Sequence, residues 1–250
     1  KESINKFQIG YASSSNDTIT YLKNNFFDLS MAKELGIIDS GSNGLYARFI
    51  ERITFPIFLQ SGKLVGFGGR TISGHNAKYV NSPATKLFNK SALLFGYNLA
   101  RDSIYQSKEI IITEGYLDVI MLHQAGFTNS VATLGTALTS QHIPLLKKSD
   151  AKVILGYDGD KAGMEAAYKA SILLAQNDFV GGVVIFQNAH DPADYVKEGR
   201  VDELKSLLLH PKYFVEFALD YIVKDNLGNY RFDINRPEEK QKILVKIEEF

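Results

Sequence analysis

The sequence predicts an α/β protein built around a largely parallel sheet. From residue 108 onward, short runs of β-branched and apolar residues alternate with helical patterns of about 10–15 residues, which is typical of parallel strands joined by crossover helices. These runs are apolar along their whole length, as expected for strands covered by helices on both faces. The 250-residue chain is therefore divided into a mixed segment 1–107, a sheet domain 108–200 and a helical segment 201–250.

The mixed segment combines short helices with a hairpin. Two amphipathic helices, at 19–27 and 29–35, precede two strand-like runs at 53–59 and 64–70, which a short polar turn connects as an antiparallel hairpin. Pro56 cannot donate a backbone hydrogen bond to a neighbouring strand. It therefore indicates an edge position or a bulge in the first strand of this hairpin.

The sheet domain alternates strands and helices in chain order. The predicted strands are 109–113, 130–133, 153–157 and 183–186, and the predicted helices between them are 116–125, 141–148 and 162–176. The chain from 201 to 250 is predicted to be helical throughout, and Pro237 suits the first turn of a helix because its missing N–H has no partner there.

The composition narrows the class of protein. Hydrophobic residues make up 45% and charged residues 22% of the chain, which excludes a disordered or collagen-like chain. Because cysteine is absent, disulfides, thiolate catalysis and cysteine-based zinc sites are excluded. No apolar run approaches the roughly 18 residues of a membrane-spanning helix. The chain begins with Lys1 and shows no signal-peptide pattern, so it is expected to be a fragment without its neighbouring domains.

Charge is balanced over the whole chain but unevenly distributed along it. The chain has 28 basic and 28 acidic residues, yet residues 48–101 contain eight bases and one acid, whereas residues 109–203 contain 13 acids and seven bases. This distribution indicates that the first region holds phosphates and the second holds cations, unless the charges simply cluster on two solvated surfaces.

Acidic residues follow three strands of the predicted sheet. They are Glu114 after the first strand, Asp158 and Asp160 after the third, and Asp191 and Asp194 after the fourth. The carboxyl ends of parallel strands meet at one edge of a sheet, where ligands bind in such folds. Carboxylates crowded there repel one another unless a cation is bound, and oxygen ligands without His or Cys suit Mg²⁺ or Mn²⁺. The alternative is structural, because Asp is also common in turns and as a helix N-cap.

The acids belong to three longer motifs, 114–120 (EGYLDVI), 158–163 (DGDKAG) and 191–194 (DPAD), and a fourth motif, 134–136 (LGT), lies between them. These motifs resemble the TOPRIM domain, a Rossmann-like domain of bacterial primases and of some topoisomerases and nucleases. Four further motifs lie upstream, and they are 52–57 (RITFPI), 66–70 (GFGGR), 78–83 (KYVNSP) and 87–90 (LFNK). They narrow the resemblance to the catalytic core of the bacterial DNA primase (DnaG) family.

The resemblance implies synthesis of short RNA primers on single-stranded DNA, a nucleotidyl transfer that uses two or more divalent ions. It implies that Glu114, Asp158 and Asp160 are catalytic metal ligands. It also implies that Asp191 and Asp194 extend the acidic site. The residues implied to contact nucleotides or nucleic acid are Arg52, Arg70, Lys78, Asn81 and Lys90.

The resemblance also implies partners. These are the single-stranded DNA template, the RNA primer and ribonucleoside triphosphates, together with the replicative helicase and the single-strand-binding protein through regions absent from this chain. The implied location is the bacterial cytoplasm at the replication fork, with no membrane contact. Two other functions stay open: another TOPRIM enzyme of the topoisomerase or nuclease type, and a non-catalytic nucleic-acid-binding module whose acids only cap helices.

Some residues near these motifs have two interpretations. Asp118, in the helix after Glu114, is either a supporting acid or a solvated residue of the helix face. His190, where the family often has glycine nearby, is interpreted as a surface loop residue. Tyr79 and Phe88 lie among the bases and either stack on nucleobases or belong to the core. The histidines expected at the surface or in helix packing are His75, His123 and His142.

Overall fold

The computed structural model describes residues 1–42, 44–74, 77–186, 190–224, 232–233 and 235–248. The chain forms two compact units, Lys1–Leu99 and Ala100–Phe250. The boundaries predicted from the sequence at residues 107 and 200 stay a prediction. Within the described residues, no helix has both the length and the apolar character needed to cross a membrane.

The first unit is built on an antiparallel sheet. Its strands, including those of a separate hairpin, are β1 (Gly10–Ala12), β2 (Ile38–Gly41), β3 (Gly44–Ala47), β4 (Arg52–Phe58), β5 (Leu64–Thr71) and β6 (Tyr79–Asn81). Its helices are α1 (Glu2–Lys6), α2 (Ser15–Asn24) and α3 (Leu29–Glu34). The main sheet has the order β1-β4-β5-β6, and β2 pairs with β3. The predicted hairpin is therefore present as β4 and β5.

Pro56 lies in an interior strand, but on a stretch of β4 that β1 does not cover, so its position is locally an edge. Pro56 pairs with Phe67 of β5 on one side. On the other side, the pairing of β4 with β1 ends at Thr54, two residues earlier. A bulge follows directly, between Ile57 and Phe58. The missing N–H of proline therefore breaks no bond to β1, and the irregularity of β4 is confined to its end.

Aromatic side chains fill the core of the first unit. The ring of Phe95 lies 5.7 Å from that of Phe7 and 6.3 Å from that of Phe55, centroid to centroid. Phe88 is 1% exposed and packs on β5 at Gly66, where an added Cβ would lie 2.7 Å from its ring. Phe88 is therefore a core residue, and it fixes the loop after β6 against the sheet.

The second unit is built on the predicted parallel sheet. Its strands are β7 (Glu109–Thr113), β8 (Ser130–Ala132), β9 (Lys152–Tyr157), β10 (Gly181–Ile185) and β11 (Lys212–Tyr213). Their order is β11-β10-β9-β7-β8, and every neighbouring pair is parallel except β10 with β11. The helices that follow α3 are α4 (Tyr97–Ser107), α5 (Tyr116–Gln124), α6 (Ile143–Ser149), α7 (Lys161–Ala175), α8 (Pro192–Lys197), α9 (Val201–Leu209), α10 (Phe214–Val223) and α11 (Pro237–Glu248).

The tail is not helical throughout, contrary to the prediction from the sequence. Lys212 and Tyr213 form β11, which pairs with Val183 and Gly182 of β10. Pro211 cannot continue a helix, so the helical pattern stops before β11. The glycine at 182 makes room for the strand, because a Cβ there would lie 2.2 Å from the carbonyl oxygen of Lys212.

The sheet of the second unit is buried on both faces. Residues of one face pack against α5, α8 and α9, and this cluster contains Ile111, Leu122, Ile154, Val184, Phe186, Tyr195, Leu204 and Leu208. On the other face, α7 packs on β9 and β10, and α10 packs on α7. This packing fixes the carboxyl ends of β7 and β9 side by side, which is where the acidic motifs begin.

Candidate metal centre and nucleic-acid surface

Glu114 and Asp158 lie together at the carboxyl ends of neighbouring strands. β7 and β9 are in parallel register, with Ile112 opposite Leu155. The backbone N–H of Asp158 donates a hydrogen bond of 3.2 Å to Oε1 of Glu114. The side chain of Glu114 is therefore held against the loop that carries Asp158 and Asp160.

Gly163 allows the start of α7 to approach these acids. A Cβ at position 163 would lie 2.2 Å from the carbonyl oxygen of Asp158 and 2.8 Å from Oε1 of Glu114. Asp160 is the N-cap of α7, and its Oδ1 accepts a hydrogen bond of 2.8 Å from the N–H of Gly163. The cap occupies one oxygen of Asp160 and leaves the second for a ligand.

Asp191 and Asp194 form a reciprocal cap at the start of α8. The N–H of Asp194 donates to Oδ1 of Asp191 at 2.7 Å, and the N–H of Asp191 donates to Oδ2 of Asp194 at 3.4 Å. The N–H of Gly159 donates to the carbonyl of His190 at 3.2 Å, which ties this cap to the loop after β9. Both acids therefore serve the structural role that was the alternative to metal binding, beside the loop of Asp158.

Asp118 is buried among these acids, contrary to its interpretation as a solvated residue. It is 6% exposed, and its Oδ2 accepts a hydrogen bond of 2.9 Å from the N–H of Gly115. Burial raises the pKa of Asp118 well above its usual range, and the charges of Asp191 and Asp158 raise it further. Its position in the first turn of α5, where a carboxylate bonds back to the helix start, was the signal in the sequence.

The acidic cluster of Glu114, Asp118, Asp158, Asp160 and Asp191 disfavours the charged form of several of its members. Burial raises the pKa of Glu114 to about 7, and the charges of Asp158 and Asp160 add to this effect, whereas the hydrogen bond from Asp158 opposes it. Burial also raises the pKa of Asp191. Within the described residues, no group of three or more acidic or histidine side chains is arranged to hold a metal ion as it stands. The oxygen donors and their mutual repulsion nevertheless fit a hard divalent cation.

The raised pKa of Glu114 predicts a pH-dependent stability. The folded chain binds the proton of Glu114 more tightly than the unfolded chain does. The free energy of unfolding should therefore fall between pH 4.5, the ordinary pKa of glutamate, and about pH 7, the raised pKa in the folded chain, and it should stay low at higher pH. The part due to Glu114 should be about 1 kcal/mol, because partial exposure screens the charge. Urea unfolding of the metal-free chain at pH 5 and pH 8 should show a smaller fall for Glu114→Gln than for the wild type. Equal falls would contradict the assigned environment.

Arg70 and Lys78 flank an exposed aromatic ring in the first unit. Arg70 of β5 lies opposite Tyr79 of β6, and its guanidinium carbon is 5.7 Å from the centre of the ring. Lys78 Nζ is 6.0 Å from the same centre, and Tyr79 is 37% exposed. A surface ring between two cations can stack on a base while the cations contact phosphates. The arrangement therefore favours the nucleobase interpretation of Tyr79 over a core position.

Asn81 lies two residues beyond Tyr79 in β6, and Lys90 lies in the loop that follows this strand. Asn81 ends β6 opposite Gly68, and its backbone carbonyl accepts a hydrogen bond of 2.9 Å from Nε of Arg48. Lys90 is exposed in the loop that Phe88 fixes to the sheet. Both are thus placed on the same unit as Arg70 and Lys78.

Arg52 is buried, whereas the resemblance implied a surface residue that contacts phosphates. It is 6% exposed, and it donates to the carbonyls of Gly69 at 3.3 Å, Lys78 at 3.4 Å and Ala77 at 3.0 Å. Gly69 leaves the space that the arginine stem occupies, since a Cβ there would lie 3.1 Å from Cδ of Arg52. Arg52 therefore holds the segment before β6 in place and positions Lys78 indirectly.

Substitution of Arg52 should affect stability, whereas substitution of Lys78 should affect DNA binding. Arg52→Ala leaves buried carbonyls without a donor and should lower the free energy of unfolding by about 3 kcal/mol. Lys78→Ala should change it by less than about 0.5 kcal/mol. It should instead reduce the salt dependence of single-stranded DNA binding by roughly 0.7 in the log–log slope, the value for one lost phosphate contact. Chemical unfolding and salt titrations of DNA binding measure the two effects, and a reversed pattern would contradict both assigned roles.

Among the described residues, the histidines show no arrangement of a general base. His190 lies 3.4 Å from Oε1 of Glu198, at the surface of the loop before α8. His123 and His142 are buried in helix packing. His75 lies outside the described residues.

Comparisons with known proteins match both units. A model of the family described as "DNA primase catalytic core, N-terminal domain" matches residues 1–101, and one described as "Toprim-like" matches residues 111–196. The RNA polymerase domain of the Mycobacterium tuberculosis primase DnaG, solved in complex with double-stranded DNA, is 30% identical with a TM-score of 0.80, over 98% of this chain and 78% of that chain. The chain belongs to the bacterial DNA primase family, DnaG.

Other members of the DnaG family are similar to this chain in sequence and in structure. The DNA primase of Helicobacter pylori is 48% identical over 98% of this chain and 43% of its own length. A DnaG primase catalytic domain bound to single-stranded DNA has a TM-score of 0.85 at 28% identity, over 96% of this chain and 75% of that chain. The chain thus spans about two fifths of the length of the curated primase it matches. The acids lie within the Toprim-like match and the bases within the N-terminal DnaG match.

Proposed function

We propose that this chain is the catalytic core of a primase, which joins ribonucleotides into short RNA primers on a single-stranded DNA template and releases pyrophosphate. The observation that carries the proposal is the position of Glu114, which is partly buried and held against the backbone of Asp158 beside the other carboxylates. Membership of the DnaG family supports the same activity.

Divalent ions, two or more Mg²⁺ or Mn²⁺, would be held by Glu114, Asp158 and Asp160, with Asp191 and Asp194 extending the site. When bound, such ions stabilise the attacking and leaving oxygens of an in-line displacement at a phosphate. The chain's own contribution is to fix the carboxylates, through the Asp158 hydrogen bond to Glu114 and the cap on α7. Asp118 would support the cluster from its buried position in α5.

The first unit would bind the polyanionic substrates. Arg70, Lys78 and Lys90 are proposed to contact triphosphate or nucleic-acid phosphates, with Asn81 near the incoming nucleotide and Tyr79 stacked on a base. Positioning and charge stabilisation dominate phosphoryl transfer, so no protein general base is required. Arg52 contributes by holding the backbone next to Lys78.

The proposed partners follow from kinship with bacterial primases. They are single-stranded DNA, the RNA primer and ribonucleoside triphosphates, with the helicase and the single-strand-binding protein engaged through parts of the relatives beyond the matched region. Binding of DNA to two DnaG structures supports the template assignment. The same kinship favours a place at the replication fork in the bacterial cytoplasm.

One pair of assays tests the proposal against its alternatives. With Mn²⁺ and single-stranded DNA, the chain should incorporate labelled ribonucleotides into short products and leave the DNA uncut. Cleavage of the DNA without incorporation would favour a nuclease or topoisomerase activity. DNA binding with neither activity, and without a specific Mn²⁺ site in a metal titration, would favour a binding module.

A further inference from the structure

A buried hydroxyl beside the acidic cluster has no hydrogen bond. Tyr157, the last residue of β9, is 3% exposed, and its hydroxyl has no partner among the described residues. Buried polar groups are nearly always hydrogen-bonded, because an unsatisfied group loses its bonds to water without replacement. A buried hydroxyl of this kind can take a water molecule or a neighbouring ligand group as its partner.

Tyr157 and Glu114 project from the same face of the sheet. The register of β7 and β9, continued by two residues beyond Leu155, places Glu114 beside Tyr157 on the adjacent strand. The alternation of side chains agrees, since the neighbouring Gly156 faces the ring of Phe186 on the opposite side. The side chain of Tyr157 therefore lies on the same face of the sheet as the carboxylate that follows β7.

The two side chains have complementary hydrogen-bonding capacity. Oε1 of Glu114 accepts from the N–H of Asp158, and within the described residues its second carboxylate oxygen accepts no hydrogen bond. The phenol of Tyr157 carries a hydroxyl that can donate a hydrogen bond. A protonated phenol and a carboxylate with a spare oxygen can pair either directly or across one water molecule.

We propose that Tyr157 is a positioning residue, whose hydroxyl donates to Glu114 directly or through one buried water and orients this carboxylate for a divalent ion. The inference rests on the proposed function, in which Glu114 is a metal ligand. Partners that orient metal ligands typically change metal affinity by about 10–100-fold. The hydroxyl would thus contribute to ion binding through the orientation of Glu114.

The variant Tyr157→Phe allows the effect of the hydroxyl on stability and its effect on metal affinity to be measured separately. Without metal, the variant should stay folded and unfold within about 4 °C of the wild type, because only one hydroxyl is removed and no cavity is made. With Mn²⁺, its affinity measured by electron paramagnetic resonance should fall by roughly 10-fold. The Mn²⁺ concentration for half-maximal ribonucleotide incorporation should rise by a similar factor, with little change in kcat at saturation.

Tyr221→Phe is the matched control. Tyr221 is on α10, and its ring stacks on Tyr168 of α7 at 4.6 Å, away from the acidic loops. Mn²⁺ affinity should be unchanged in this variant.

Two results would overturn the assignment of Tyr157. One is wild-type Mn²⁺ affinity in Tyr157→Phe, which would leave the proposed function intact. The other is a loss of Mn²⁺ affinity that Tyr221→Phe shows to the same extent, which would indicate a general effect of removing a tyrosine hydroxyl. A wild-type chain that binds no Mn²⁺ would instead overturn the proposed function together with this inference.

Discussion

Asp158→Asn should reduce ribonucleotide incorporation by a factor on the order of 10³ without unfolding the chain. Its carboxylate is proposed to hold a divalent ion, and the amide that replaces it carries no charge. The backbone N–H that holds Glu114 remains, so the geometry around Glu114 should persist. Incorporation of labelled ribonucleotides on single-stranded DNA, with Mn²⁺ binding measured in parallel, checks this expectation.

Two further variants make this result specific. Asp160→Asn should also lose incorporation but keep the cap on α7, because Asn is as good an N-cap as Asp. Asp178→Asn removes a charge after α7 at a residue with a φ of 62°, a conformation that Asn tolerates, and should be as active as the wild type. Near-normal incorporation by Asp158→Asn would refute the assigned site.

Gly163→Ala should damage both folding and activity. The new methyl group would meet the carbonyl oxygen of Asp158 at 2.2 Å and Glu114 Oε1 at 2.8 Å, so the start of α7 must move away. Overpacking of this kind costs about 1–3 kcal/mol, and a displacement near 1 Å at a reacting site lowers rates by about 10². Urea unfolding and the incorporation assay measure the two effects.

The control for Gly163→Ala is Lys161→Ala, at the exposed first residue of the same helix. It should retain both stability and incorporation. An alanine at 163 that leaves incorporation and Mn²⁺ affinity unchanged would show that close packing of α7 on Glu114 is not required.

The parallel sheet could be predicted from the sequence because its signals are local. The apolar runs of β7 and β9, each followed directly by an acid, fix the strand ends, and the topology of a parallel sheet then brings Glu114 and Asp158 to one edge. The start of α7 was predictable from Asp160, since an Asp before a helical pattern is a strong N-cap.

Other features depend on tertiary packing that the sequence does not display. The charge of Arg52 suggested a surface residue, but the missing side chain of Gly69 creates the space in which it is buried. The position of Asp118 in the first turn of α5 indicated a helix cap, but its burial depends on the packing of this helix. β11 has two residues, which is too few for an alternating pattern, and it depends on the room that Gly182 leaves.

Anomalous scattering from a crystal soaked with Mn²⁺ and a ribonucleoside triphosphate would locate the divalent ions that the proposed mechanism requires. We expect manganese peaks bounded by the carboxylates of Glu114 and Asp158, with triphosphate oxygens completing their coordination. Saturating Mn²⁺ that yields no peak at these carboxylates, or a peak confined to Asp191 and Asp194, would contradict the proposed mechanism.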